Sequence, residues 1–251
     1  MKDTRIIMGM PTTVEVVDSG ATKETLEKVF DYFTSVDEKF STYKETSEIS
    51  AINRGELKIE NSSEEMKEVF SLAEKTKQET NGFFDIKKPD GSIDPSGLVK
   101  GWAVHNGALI LDKLGFKNFS VDVGGDIEFR GLNEQKEKWS VGIRNPFQRE
   151  EIVKVVYLGG DGPMGIATSG TYIRGQHIYN PHEMGPLEEV LSLTVIGSNI
   201  YEADRFATAA FAMGREGIYF IEKLDGFEGY MIDKNGQGTA TTGFENYTKK
   251  L

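Results

Sequence analysis

The stretch Ile93–Ala103, IDPSGLVKGWA, places an acid, a hydroxyl, two glycines and a lysine at the mouth of a helix. Leu98, Val99, Trp102, Ala103, Ile110, Leu111 and Leu114 recur at helical spacing, and Gly115 is a natural left-handed stop, so the spacing predicts a helix from Ser96 to Leu114. The first turn of such a helix carries unpaired amides and the positive end of the macrodipole, and Gly97 has no side chain to keep a ligand from them. Lys100 adds a positive charge suited to phosphate, and Asp94 suits capping or a ligand's hydroxyl or amine. The same residues also read as an Asp- or Ser-capped helix with a surface lysine.

Upstream, Asn81-Gly82 ends a helix whose start is marked by Ser62 and Glu65 as a capping box and whose inner face is Met66, Val69, Phe70 and Ala73. Phe83-Phe84-Asp85 and a turn at Pro89-Asp90-Gly91 then lead into the opening stretch. An earlier helix begins after the turn Asp18–Thr22, with Leu26, Val29, Phe30, Phe33, Val36 and Phe40 on one face. Residues 4–17 read as a strand pair or one strand interrupted at Pro11, and Ser47–Asn53 shows no periodicity. Tyr43 is suited to stacking on a planar ligand or packing on a sheet.

Downstream, Phe119–Val123 alternates like a strand and runs through Gly124-Gly125-Asp126 into Ile127–Gly131, the paired glycines predicting a bulge or a close backbone approach. Short strands follow at Trp139–Ile143, Ile152–Leu158, Met164–Ala167, Tyr172–Ile173, His177–Tyr179 and Leu191–Ile196, with a hydroxyl-rich turn at Thr168–Tyr172. A third long helix spans Glu202–Phe211 and stops at Gly214, and a closing hairpin pairs Gly229–Asp233 with Thr239–Tyr247. The resulting class is α+β, with largely antiparallel sheets packed with helices, forming one unit or two lobes over residues 1–251. On the third helix Asp204 and Thr208 project from one face, which suits either an N-terminal acid favouring the dipole with a threonine bonded back to the backbone or a magnesium or calcium site.

A net charge of -11 over 251 residues argues against a nucleic-acid binder. Without cysteine there is no disulfide framework, thiolate metal site or cysteine nucleophile. No apolar run near Met1 is long enough for a signal or membrane segment, so the expected location is the cytoplasm, although a trimmed export signal would leave the same picture.

The ordered segments FSTYKETSEISAIN, GFFD, IDPSGLVKGWAV, VDVGGDI, ATSGTYIRGQHIYNP and EADRFAT resemble the FAD:protein FMN transferases, the ApbE-type flavin transferases. The resemblance implies an ApbE-like fold, FAD as substrate, a magnesium ion, and transfer of FMN onto a threonine or serine of an acceptor flavoprotein with release of AMP. Motif by motif, it assigns Met8 and Tyr43 to the isoalloxazine region and Phe83, Phe84, Asp85, Asp94, Lys100 and Ile178 to FAD contacts. It assigns the Gly97 carbonyl, Asp204, Thr208 and the Ala207 carbonyl to the metal, matches Gly125 and Asp126 to a GGD turn, and makes His177 the candidate for orienting or deprotonating the acceptor hydroxyl, against a structural strand histidine.

Three departures stand out. The Asp85–Asp94 connection is short, Asn180 replaces a usual Asp ahead of His182–Pro186, and His105 replaces another. An FAD pyrophosphatase, with water in place of the acceptor, and a non-catalytic FAD-binding module are the competing functions. Ser19–Thr22, SGAT, also resembles the core of the acceptor motif, but Thr22 is positioned to cap the following helix, so no self-modification is expected.

Overall fold

The computed structural model describes residues 1–148, 150–170, 180–182 and 187–249. The chain opens with a hairpin of β1 (Lys2–Ile7) and β2 (Met10–Val16). The break falls at Met8-Gly9, both at positive φ (56° and 71°), and not at Pro11, which sits opposite Ile6 just before β2 begins to pair with its other neighbour. A proline is tolerated near a strand's start, where its missing N–H breaks no ladder.

Three helices follow: α1 (Lys23–Phe40), α2 (Glu48–Asn53) and α3 (Glu64–Glu79). Thr22 caps α1 in a reciprocal box with Thr25. Helix α2 forms in the stretch without periodicity, its end set by the Ser47 hydroxyl accepting from the Ser50 amide (3.2 Å). Ser63, not Ser62, caps α3. Ser62 Oγ donates to the Ile59 carbonyl (2.7 Å), while the Glu48 carboxylate takes the place expected of Glu65 by accepting from Ser63 N and Oγ (both 2.6 Å). Glu65 instead accepts from Lys39 at 2.7 Å.

Helix α4 (Ser96–Lys113) leads to β3 (Phe119–Val123) and β4 (Asp126–Gly131). Gly124 and Gly125, at φ 64° and 97°, form the two-residue turn between these strands where a bulge was expected, since a tight hairpin turn of this hand needs positive φ at both positions. A close approach is also present, because a Cβ on Gly124 would lie 2.9 Å from Met10 Sδ.

The chain continues through β5 (Trp139–Arg144), β6 (Ile152–Leu158), β7 (Gly160–Gly170), β8 (Val190–Gly197), α5 (Ile200–Ala212), α6 (Gly217–Glu222), β9 (Glu228–Asp233) and β10 (Gly238–Ala240). The strands expected at Tyr172–Ile173 and His177–Tyr179 lie outside the described residues. Of the expected final strand only β10 pairs. Phe244–Tyr247 is a single 3-10 turn, and the Glu228 carboxylate binds the Thr241 hydroxyl and the Gly243 amide at the bend.

Eight strands form one antiparallel sheet in the order β1-β2-β3-β4-β7-β8-β9-β10, and β5 and β6 form a separate hairpin. One face of the large sheet is covered by α1, α4 and α5, whose Phe33, Leu98, Leu111 and Phe211 meet Val121 and Val195. On the other face Phe129 packs with Trp139, Val156, Leu158 and Phe244. Both faces of β4 are therefore covered, and its alternate residues Asp126, Glu128 and Arg130 point under the helices while Phe129 points away. No helix among the described residues is long and apolar enough to cross a membrane.

Candidate active site

Helices α4 and α5 touch where both carry small residues. A Cβ on Gly101 would lie 2.5 Å from Asp204 Cβ and 2.8 Å from the Ile200 carbonyl, and one on Gly97 would lie 3.1 Å from Thr208 Cγ2 and 3.4 Å from Phe84. Gly101 is thus required by helix packing and Gly97 is closely packed, a reason not visible in the sequence. Three early amides of α4 are engaged internally: Ser96 N donates to Asp94 Oδ1 (3.1 Å), and Leu98 N and Val99 N donate to the Pro95 carbonyl.

At this contact Thr208 Oγ1 donates to the Gly97 carbonyl (3.2 Å) and lies 3.4 Å from Ser169 Oγ on β7. The Gly101 amide donates to Asp204 Oδ2 (2.8 Å). Lys100 is ion-paired with Asp126 and lies 3.7 Å from Asp204 Oδ1, so the ammonium stands between two buried carboxylates and is no surface lysine. Burial pushes the Asp204 carboxyl up to about 7; Lys100 opposes the rise and Asp126 adds to it. Asp126 Oδ1 accepts from the Thr168 amide at 3.1 Å.

These groups form one end of a cleft of about 620 Å³. Its walls come from the first hairpin (Gly9–Pro11), from Phe83–Ile86, from the Gly124–Asp126 turn, from Val141–Arg144 on β5 and from Thr168–Gly170 on β7. Phe83, Phe84, Asp85, Asp94, Gly97, Lys100, Asp204 and Thr208 all line it. Asp85 is held by Lys77 (2.7 Å) and the Lys87 amide (2.9 Å). Burial raises the Asp94 pKa, but the hydrogen bonds from Ser96 and the charge of Lys88 at 3.2 Å outweigh it and keep the carboxyl below its usual range.

Met8, Tyr43 and Ala207 stand apart from this wall. Met8 is at the hairpin tip, Tyr43 is 97% exposed, and Ala207 is fully buried in the apolar core. His177 and Ile178 lie outside the described residues. The cleft adds Met10, Asp122 and Arg144, which sequence reasoning missed, and takes in Thr168 and Ser169 from the hydroxyl-rich segment. For Met10 the signal was the MGMP repeat: a two-residue turn at Met8-Gly9 puts Met10, not Met8, on the strand that meets Gly124.

Among the described residues no group of three or more His, Cys, Asp or Glu side chains forms a metal cluster. The donors that do converge are a carbonyl, a hydroxyl and one carboxylate, all hard oxygens. That set fits a hard cation of the magnesium type.

The ApbE family model matches residues 8–88 and 86–231. The FAD:protein FMN transferase of Salmonella typhimurium is 32% identical over 169 residues, covering 63% of this chain and 47% of that protein, and the Haemophilus influenzae protein of the same name is 24% identical over 99% of this chain and 92% of its own length. The chain spans about half the length of several of the curated relatives it matches. In fold it is similar to the flavin transferase ApbE from Vibrio cholerae (TM-score 0.84, 23% identity, 98% of each chain) and to the apbe protein of Thermotoga maritima (TM-score 0.86, 19% identity, 100% and 99% covered). With the match running from the first hairpin through β9 and taking in every element that lines the cleft, the chain belongs to the ApbE family.

Proposed function

We propose that this chain is an enzyme that takes FAD as substrate and, with a magnesium ion, transfers its FMN moiety onto a threonine or serine hydroxyl of an acceptor protein, releasing AMP. The observation that carries this reading is the convergence of the Gly97 carbonyl, Thr208 hydroxyl and Asp204 carboxylate beside Lys100 at the end of a cleft with an aromatic wall. Phe83, Phe84 and Met10 offer the flat, polarisable surface a flavin ring needs, and we assign Met10 the place the resemblance gave to Met8.

In the transfer, the acceptor Oγ forms a bond to the phosphorus nearest the riboflavin. The bond from that phosphorus to the bridging oxygen breaks, and AMP leaves with the oxygen and its electron pair. When bound, magnesium supplies Lewis-acid polarisation of the pyrophosphate. Lys100, held by Asp126 and Asp204, adds fixed positive charge beside the phosphates, and Arg144 faces the same cleft. His177 is the candidate to take the hydroxyl proton. His177→Ala is expected to slow transfer about 100-fold at saturating FAD; unchanged rates would remove it from that role.

Incubation with FAD and magnesium, with and without a threonine-containing acceptor peptide, tests the reading by AMP release and peptide mass. AMP with a peptide adduct supports transfer, AMP with free FMN and no adduct means hydrolysis, and bound FAD without AMP means a binding module. Thr22 is not an acceptor in this reading, because its hydroxyl faces the Thr25 amide at 3.4 Å and its own amide donates to Thr25 Oγ1 at 3.1 Å. Thr22→Val is expected to cost about 1 kcal/mol in denaturant unfolding, and neither it nor wild type is expected to gain mass on incubation with FAD and magnesium. An FMN-sized adduct on wild type alone would overturn this.

A further inference from the structure

Beneath the helices, one carboxylate touches both helices that carry the proposed cation donors and Lys100. Glu128 on β4 is fully buried and accepts four contacts: His105 Nδ1 of α4 at 2.9 and 3.0 Å, Arg130 Nη1 at 2.6 Å, and the Ile200 amide of α5 at 2.9 Å. Arg130 is in turn tied to Asp112, two turns beyond His105 on α4, at 3.0 Å. Burial raises the Glu128 pKa, but His105, the Arg130 charge and the Ile200 amide outweigh it and hold the carboxyl below its usual range.

Ile200 is the first residue of α5, so the charge sits at the positive end of that helix. The same end is pressed onto β7, where a Cβ on Gly165 would lie 2.1 Å from Ile200 N. Asp204 and Thr208 follow one and two turns along α5. Gly97 and Lys100 lie on α4 before His105, and Asp126 lies two residues before Glu128 on the same face of β4. Neither Glu128 nor His105 lines the cleft.

Resting on the transferase reading above, we propose that Glu128 is a positioning residue: its bonds to His105 and to the Ile200 amide set the axial register of α5 against α4, and so the spacing of Asp204 and Thr208 from the Gly97 carbonyl. Groups that orient ligating oxygens in this way commonly change metal affinity by an order of magnitude or more when removed. Nothing in this role touches the flavin wall.

The test is a calorimetric magnesium titration of the full chain, wild type against Glu128→Gln, with FAD affinity measured separately in chelator. Glu128→Gln keeps the shape but removes the charge facing the α5 amide. Its magnesium Kd is expected to rise about tenfold while FAD affinity in chelator stays within about twofold. An unchanged magnesium Kd in a folded variant would overturn the positioning role while leaving the transferase reading intact. A wild-type chain that binds no magnesium, alone or with FAD, would overturn the site reading and this inference with it. If Glu128→Gln does not fold, Glu128→Asp keeps the charge facing Arg130 and shortens its reach by one methylene, and the same Kd rise is expected. Failure of both to fold would assign Glu128 to folding alone and overturn the proposal.

Discussion

Replacing Asp204 with alanine is expected to lower magnesium-dependent AMP release on the order of 1,000-fold while FAD still binds. The carboxylate is the one ionic oxygen among the proposed cation donors; the others, the Gly97 carbonyl and the Thr208 hydroxyl, are neutral. Its removal also takes away one of the two buried carboxylates beside Lys100. The proposed flavin wall of Phe83, Phe84 and Met10 comes from other elements, and FAD affinity in chelator should change little. The variant should fold, because burial already penalises this carboxyl's charge, and its loss costs chiefly the bond to the Gly101 amide. AMP release equal to wild type would remove Asp204 from the site.

The second large effect is structural in origin. Gly101→Ala places a methyl 2.5 Å from Asp204 Cβ and 2.8 Å from the Ile200 carbonyl, and a main-chain carbonyl at the start of a helix cannot rotate away. Overpacking of this kind costs about 3 kcal/mol, which for a chain of this size lowers the thermal midpoint by about 10 °C. Relief requires α5 to move off α4, so magnesium affinity should fall with stability. Gly97→Ala makes a gentler comparison, since its neighbours at 3.1 and 3.4 Å are the side chains of Thr208 and Phe84. A Gly101→Ala protein as stable as wild type would show that the two helices are not in tight contact there.

Helices α1 and α3 were legible because each buries one stripe over several turns, whereas α4 and α5 are buried nearly all round and are marked by an apolar run ended by glycine. Helix α1 shows its stripe in Leu26, Val29, Phe30 and Phe33, and α4 and α5 are readable within a residue or two of their ends. Helices α2 and α6 are too short to display a stripe, and the strand-like run Ile218–Ile221 gives no helical period at all. Part of the site was local: Asp204 and Thr208 share a helix face, and Gly125-Asp126 follows from the hairpin turn. The rest depends on distant partners. Nothing near Arg144 or Val141 marks them as a cleft wall, and Tyr43, an apt stacking residue by type, faces solvent. The hardest case is β4, whose alternation of Asp126, Glu128 and Arg130 with Ile127 and Phe129 reads as a half-solvated strand. Its charged face is instead covered by α4, because each charge there meets a partner.

The bond from the Gly101 amide to Asp204 joins positions 103 apart in the chain. Between them run β3 through β8, and β4 and β7 become sheet neighbours only after the β5–β6 hairpin has been passed over. A ribosome must therefore release the chain beyond Thr208 before any of the proposed cation donors can meet. Until then Lys100 and the apolar face of α4 have no α5 to cover them. Closing so long a loop carries an entropic cost, so the proposed cation donors meet only once α5 has been made, and a growing chain interrupted before α5 carries the proposed flavin wall without them.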